Sequence, residues 1–313
     1  MKNKVVYQLK DKAIWVVFLV LVIAFTIANP RFINPSNIFS LLRQVSMFGI
    51  ASIGMTFVIL LGDIDLATGS IMSFVNIICA YMMVHMGVNM WLAILLTLIA
   101  ATLIGVLNGF MVSTIGIPAL IATFATQTAF AGLAYIVSGG LPINGFTDRF
   151  RIIGQGYISV VPVPVIIMAV CFAVGSFILN KTYFGRYFYA VGGNMEAAKL
   201  SGIDVKKYRY LAGMITAVFI AIGGILVASR GSSAQVMCCD NYLMPSLAAV
   251  LVGRTVGGAE KPNALGTMIG AMLVSTLENG LTICAVPFYV LPAVKGSVLA
   301  LALIAAYASK KED

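Results

Sequence analysis

Three carboxylates, Asp63, Asp65 and Glu278, lie in or between long apolar runs of this chain. A carboxylate inside a bilayer costs about 2.5–3.5 kcal/mol on insertion scales, so each is expected to face protein or water. Asp63 and Asp65 fall in "LLGDIDLATGS", where alternate spacing points the two side chains opposite ways if the backbone is extended. One reading has them cap the following helix, with Gly62 and Gly69 permitting a turn. The other has a non-helical stretch beside a translocation path. The same three acids would serve an ion- or proton-coupled secondary transporter. Enzyme chemistry has little to build on. There is a single histidine, His85, no H-E-x-x-H helix and no Ser/His/Asp set, so no catalytic residue and no metal site are assigned. The five cysteines are scattered through apolar runs without zinc spacing and read as small buried hydrophobes. The dipeptide Gly-Lys does not occur, so no loop of this chain can cradle ATP phosphates and no cofactor is expected on it.

The elements that hold these residues are made for lipid. Of 313 residues, 60% are hydrophobic and 10% charged, with a mean hydropathy of +1.01. Soluble domains carry about 25% charged residues. A span of ~30 Å of hydrocarbon takes ~20 helical residues, and ten runs come near that length: 13–29, 45–61, 70–87, 91–112, 118–138, 158–179, 210–228, 242–257, 264–284 and 290–308. The expected fold is all-α, one transmembrane domain over 1–313. The spans 45–61 and 242–257 are short and flanked by glycine, so they are expected to be tilted or broken. The first run lacks a small-x-small cleavage site and reads as a retained span rather than a signal peptide.

The net charge of +9 is distributed as a topology signal. With the N-terminus inside, the inner segments hold fourteen Lys and Arg and the outer ones hold five, with Lys295 inside the last span. That bias places both termini in the cytoplasm and removes the reason to expect nucleic acid. Ten spans divide into two fives, and a repeated odd-numbered unit must be inverted in the membrane. "LIGVLNGFMVSTIGIP" and "MIGAMLVSTLENGLTI" echo each other faintly. Each carries an Asn-Gly pair, Asn108-Gly109 and Asn279-Gly280, suited to close helix approach and bonding between helices. Asn108, Glu278 and Asn279 are expected to approach the pathway.

Residues 181–209 form the longest polar stretch. Gly192 and Gly193 loosen the chain, Asn194 caps a short helix, and Glu196 sits in its first turn. Ala197 and Ala198 leave a thin face, Lys199 can pair with Glu196, Gly202 ends the helix, and Asp204 starts another. Such a surface suits docking of another protein; a solvated loop that only fixes topology is the alternative.

"GRYFYAVGGNMEAAKLSGIDV" resembles the coupling loop of the inner-membrane permeases of ABC importers, in particular the ribose, monosaccharide and autoinducer group. "NPSNIFSLLRQVSMFGIASIGMTFVILLGDIDLATGSIMSF", "GVLNGFMVSTIGIPALIATFATQTAFAGLAYIVSGGLPI" and "GTMIGAMLVSTLENGLTICAVPFYVLPAVKGSVLALAL" resemble the early, middle and C-terminal signatures of the same family, in order. The resemblance implies a ten-span fold like the cobalamin-importer permeases in a bacterial inner membrane. It also implies a second permease copy or paralogue, a cytoplasmic ATPase that uses ATP and Mg, and a periplasmic or lipid-anchored binding protein. Residues 193–202 would be the segment that docks into the ATPase, with Gly193, Asn194, Glu196, Ala197, Ala198, Lys199 and Gly202 in it. The family commonly has Gly-Gly-Ile-Asp-Leu where this chain has Gly62-Asp63-Ile64-Asp65-Leu66, so Asp65 fits the pattern, as a gating or structural turn residue with Gly69. Asp63 replaces a glycine, and Glu278 stands where Asn is common. A sugar is the implied cargo, with a nucleoside or a branched-chain amino acid as related cargoes.

Overall fold

The computed structural model describes residues 2–256 and 261–287, with 289–291, 293, 294, 296 and 297 beyond them. Helix α1 (Lys2–Ala28) ends at Asn29, whose side chain accepts from the Arg31 amide at the start of a 3-10 turn, Pro30–Ile33. Asn34 then caps α2 (Pro35–Leu60) by accepting from the Ser36 amide, and Pro35 takes the first helical position, where no N–H is needed. The two prolines thus break the chain once and restart it at once. Helix α2 is 26 residues long, about ten residues longer than the span expected from 45, and it is continuous rather than broken.

Then follow α3 (Thr68–Val84), α4 (Met90–Phe110), α5 (Ala119–Ser138), a short surface helix α6 (Asp148–Gln155), α7 (Val163–Lys181), α8 (Tyr183–Gly193), α9 (Met195–Leu200), α10 (Val205–Gly231), α11 (Leu243–Gly253) and α12 (Ala264–Ile283). Met111–Ile115 continues α4 as a π-turn that stops at Gly116 in the left-handed region. Two-residue strands close the end opposite α8 and α9: β1 (Ile143–Asn144) pairs antiparallel with β4 (Ser233–Ala234), and β2 (Tyr157–Ile158) with β3 (Val161–Pro162). The run expected from 158 to 179 therefore begins as a hairpin and becomes helical only at Val163. The run expected over 290–308 lies mostly outside the described residues.

Five described helices are long and apolar enough to cross a membrane: α2, α4 with its π-turn, α5, α7 and α10. Their burial separates them. The apolar windows of α2 and α10 are 78% and 61% buried, those of α4, α5 and α7 only 22–28%. Leu95, Ile99, Leu103 and Leu107 of α4 point outward, as lipid-facing residues do. The chain is a multi-pass membrane protein with α2 and α10 at its centre.

Helix α10 packs on α3 and α4, and α2 packs on α11 and α12. Small residues set these approaches. A Cβ built on Gly105 would lie 2.4 Å from the Gly213 carbonyl oxygen, and one on Gly266 would lie 2.0 Å from that of Gly253. Backbones come this close only where side chains are absent.

Helices α3 and α11 are shorter than the ~20 residues of a usual span. At 1.5 Å per residue, their 17 and 11 residues span roughly 26 and 17 Å. Both begin in the middle of the bundle. Ile71, in the first turn of α3, shares a cavity wall with Ala217, halfway along α10, and Gly224 rests on Met72. Residues 63–67 carry the chain there without helix from the end where Leu60 meets Gly192, and residues 235–242 descend from the opposite end. The turn before α11 meets the first turns of α3: the Cys239 amide donates to Ser73 Oγ at 3.0 Å.

Candidate functional site

The polar stretch folds as a rim clamped to the ends of α2 and α10. Phe188 of α8 packs edge-on against Phe57 and Tyr208, with ring centroids 5.4 and 5.2 Å apart. Gly192 and Gly193 do not loosen the chain. Helix α8 runs through both, and a Cβ on Gly192 would lie 1.9 Å from the Leu60 carbonyl oxygen. The glycine is there for contact, which corrects the sequence-based expectation. The Tyr189 hydroxyl donates to the Pro262 carbonyl at 3.2 Å, and burial pushes that phenol up. The same rim is thereby tied to the approach to α12.

Asn194 ends α8 and caps α9, its side chain accepting from the Ala197 amide at 3.0 Å. Gly202, at φ +80°, closes the helix, and Asp204 caps α10 by accepting from the Lys207 amide. Helix α9 is thus fixed at both ends and joined to α10 by four residues, 201–204. Its faces differ from the sequence-based expectation in one respect. Ala198 is buried beside Tyr208 and Phe188, whereas Glu196, Ala197, Lys199 and Leu200 are exposed. Ala198 holds the helix to its own chain, and only Ala197 leaves room on the outside. Among the described residues no ion pair joins Glu196 to Lys199. Leu200, 88% exposed, was not singled out from sequence; an apolar residue among charged neighbours was its signal.

A second cluster lies just inside this rim. Asp65 is 5% exposed, and its carboxylate accepts from the Ala67 amide at 2.8 Å, which turns the extended segment into α3. Thr123 of α5 accepts from the Leu66 amide at 3.1 Å. Asn108 of α4 accepts from the Thr126 hydroxyl of α5, while Gly109 lets α4 approach Tyr210. Asp63 faces Arg209 of α10, with Oδ2 3.2 Å from Nε and Oδ1 3.3 Å from Nη2. Asp63, Asp65, Asn108, Thr123 and Arg209 share the wall of a cavity of about 40 Å³, room for a few waters and too small for a monosaccharide. From sequence Arg209 is one of the inner positive charges and no more; its signal was Asp63, since an acid among apolar residues calls for a base.

Glu278 and Asn279 stand at the other end of the molecule, so the structure does not bring them together with Asn108. Gln44 Nε2 donates to Glu278 Oε2 at 2.8 Å. Asn279 and Asn37 exchange two amide hydrogen bonds of 2.9 Å each. Asn29 donates to the Ile283 carbonyl, and the ends of α1, α2 and α12 enclose a polar cleft of about 350 Å³. The two Asn-Gly pairs thus do the same job at opposite ends. Each asparagine bonds a neighbouring helix while the adjacent glycine admits an aromatic ring, Tyr210 at Gly109 and Phe25 at Gly280. Gly69 has a third role, at the junction of α3 with the turn before α11.

Residues 37–307 match the family described as branched-chain amino acid transport system / permease component. Relatives include the ribose import permease protein RbsC of Haemophilus influenzae, 37% identical over 295 residues, covering 93% of this chain and 91% of that protein. RbsC of Bacillus subtilis is 38% identical, over 91% of this chain and 89% of the relative. The xylose transport system permease protein XylH of H. influenzae is 27% identical, over 98% and 100%. Among solved structures, a metal-chelate type ABC transporter in an inward-facing conformation superposes with a TM-score of 0.51, over 95% of this chain and 99% of the other, at 14% identity; that likeness shows the fold alone. With its signatures in order along the whole match, the chain belongs to the branched-chain amino acid transport system / permease component family, among the ABC sugar permeases.

Proposed function

We propose that the chain is the membrane subunit of an ATP-driven importer of a ribose-like monosaccharide, working as a gate moved from outside itself. The observation that carries the reading is α9: a short helix capped at both ends, presenting Glu196, Ala197, Lys199 and Leu200, and clamped through α8 to the ends of α2 and α10. A separate cytoplasmic ATPase, using ATP and Mg, docks on that face. Closure of the ATPase pair displaces α8 and α9, and the two central helices carry the displacement into the bundle. Ligand and ATP each favour one of two arrangements, which is the general condition for alternating access. A periplasmic or lipid-anchored binding protein delivers the sugar, so the gate needs only transient contacts.

The remaining parts of the reading follow. A second permease copy or paralogue completes the path, and both termini face the cytoplasm of a bacterial inner membrane. The fold has ten spans built as two inverted sets of five. In support, α2 relates to α11 and α12 as α10 relates to α3 and α4, and the short α3 and α11 enter from opposite ends. Half-helices that meet near the midplane are a recurrent feature of inverted-repeat transporters. Chain 1–313 then acts as one permease domain without an ATPase site of its own.

Uptake of labelled ribose and xylose into proteoliposomes tests the reading. Uptake is expected only with the ATPase, internal ATP and external binding protein all present. Uptake by this chain alone, driven by a sodium or proton gradient, would overturn it.

A further inference from the structure

Residues 63–67 hang between two helices that belong to different parts of the molecule. Thr123 of α5 holds the Leu66 amide, on the peripheral side. Asp63 reaches Arg209 of α10, on the side of the rim. Gly62, at φ +84°, turns the chain sharply out of α2, and the Asp63 amide bonds back to the Val58 carbonyl at 3.2 Å. Asp65 spends its bond within the segment, on Ala67. Among the described residues, the Asp63–Arg209 pair is therefore the one side-chain ion pair between the non-helical entry to α3 and the helix that α9 drives.

The position of Arg209 gives this pair its meaning. It lies five residues after Asp204, the cap of α10, and α10 follows α9 across residues 201–204. A displacement of α9 must move the first turns of α10. The pair is also shielded, with side chains 23% and 16% exposed, so its attraction is screened less than that of a surface pair. One hydrogen bond, Nη2 to Oδ1 at 3.3 Å, and the approach of Nε to Oδ2 at 3.2 Å hold the two groups together.

We infer that Asp63 and Arg209 form a strut that transmits displacement of the docking helix to the start of α3, and thus to the junction of the two half-helices. They are positioning residues and touch no substrate. The inference rests on the proposed importer function and adds the route by which force enters the bundle.

The test uses the complete transporter in proteoliposomes and reads sugar transported per ATP hydrolysed. Asp63→Asn, Asp63→Gly and Arg209→Gln are each expected to lower that ratio on the order of tenfold, the usual scale of a coupling between sites. ATPase co-purification should stay intact, because α9 is untouched. The double variant Asp63→Asn/Arg209→Gln should lose no more than the worse single one, since residues that act only through each other are not additive. Asp63→Gly removes the carboxylate without adding bulk, and an unchanged thermal unfolding of that variant checks that it folds. A wild-type ratio in Asp63→Gly overturns the strut, as does a double variant whose loss is the product of the two single losses. Failure of the wild-type transporter to use ATP at all would instead sink the importer reading.

Discussion

Gly69 and Asp240 meet backbone to backbone in the middle of the bundle: a Cβ on Gly69 would stand 2.8 Å from the Asp240 Cα and 3.1 Å from the Cys239 carbonyl oxygen. Two broken helices, entering from opposite ends, are joined at this point. The contact leaves no space for a side chain, and the neighbours are backbone atoms that cannot rotate away.

Gly69→Val is therefore expected to push α3 and the turn before α11 apart. Overpacking of this kind costs typically 1–3 kcal/mol. Thermal unfolding of the detergent-solubilised chain should shift downward, and transport should fall by more than the fraction of protein lost. A Gly69→Val chain that melts and transports as the parent does would show that the junction yields freely.

At the opposite end, Glu278 accepts from Gln44. Glu278→Gln keeps an oxygen for that bond and removes the charge, whereas Glu278→Leu removes both. If Glu278 lines the pathway, Glu278→Gln should alter the rate or the sugar preference of uptake at nearly unchanged stability. Glu278→Leu should in addition lose about 1 kcal/mol with the hydrogen bond from the half-buried Gln44. Uptake and preference unaltered in Glu278→Gln would confine the residue to packing.

Gly192→Ala asks whether α8 must sit hard against α2. With the Leu60 carbonyl 1.9 Å from the added carbon, α8 has to lift. Co-purification of the ATPase should survive, because α9 keeps its exposed face, while ATP-driven uptake should drop several-fold, within the range of measured coupling energies. Full uptake in Gly192→Ala would mean that the rim is not rigidly seated.

Much of this arrangement was legible in the residues. Hydropathy located the long spans, Asn194 and Asp204 announced their caps, and the Asn-Gly pairs announced helix contacts. The restart of the helix at Pro35 was not legible, since the span there was expected only from 45. What sequence could not give was direction and distance. Nothing in "EAAKL" says which alanine turns inward; that is decided by Phe188 and Tyr208, from helices before and after it. Nothing near Asp63 in sequence names Arg209, 146 residues away. The glycines at 192 and 193 carried two opposite meanings, freedom or close contact, and only the carbonyl of Leu60 chooses between them. Half-helices are likewise hidden, because a 17-residue apolar run reads the same whether it starts at a membrane surface or at its middle.

The central claim is that force enters through the exposed face of α9, and single cysteines there test it most directly. Ala197→Cys and Ala198→Cys, each in an otherwise cysteine-free chain, would be treated with a short bifunctional thiol crosslinker in inverted membrane vesicles holding the whole transporter. Ala197→Cys is expected to capture the ATPase, with a yield that changes when ATP binds, while Ala198→Cys stays unreactive because its side chain is enclosed. Equal capture from both positions would contradict the orientation of α9, and no capture from Ala197, or labelling only from the periplasmic side, would contradict the account as a whole.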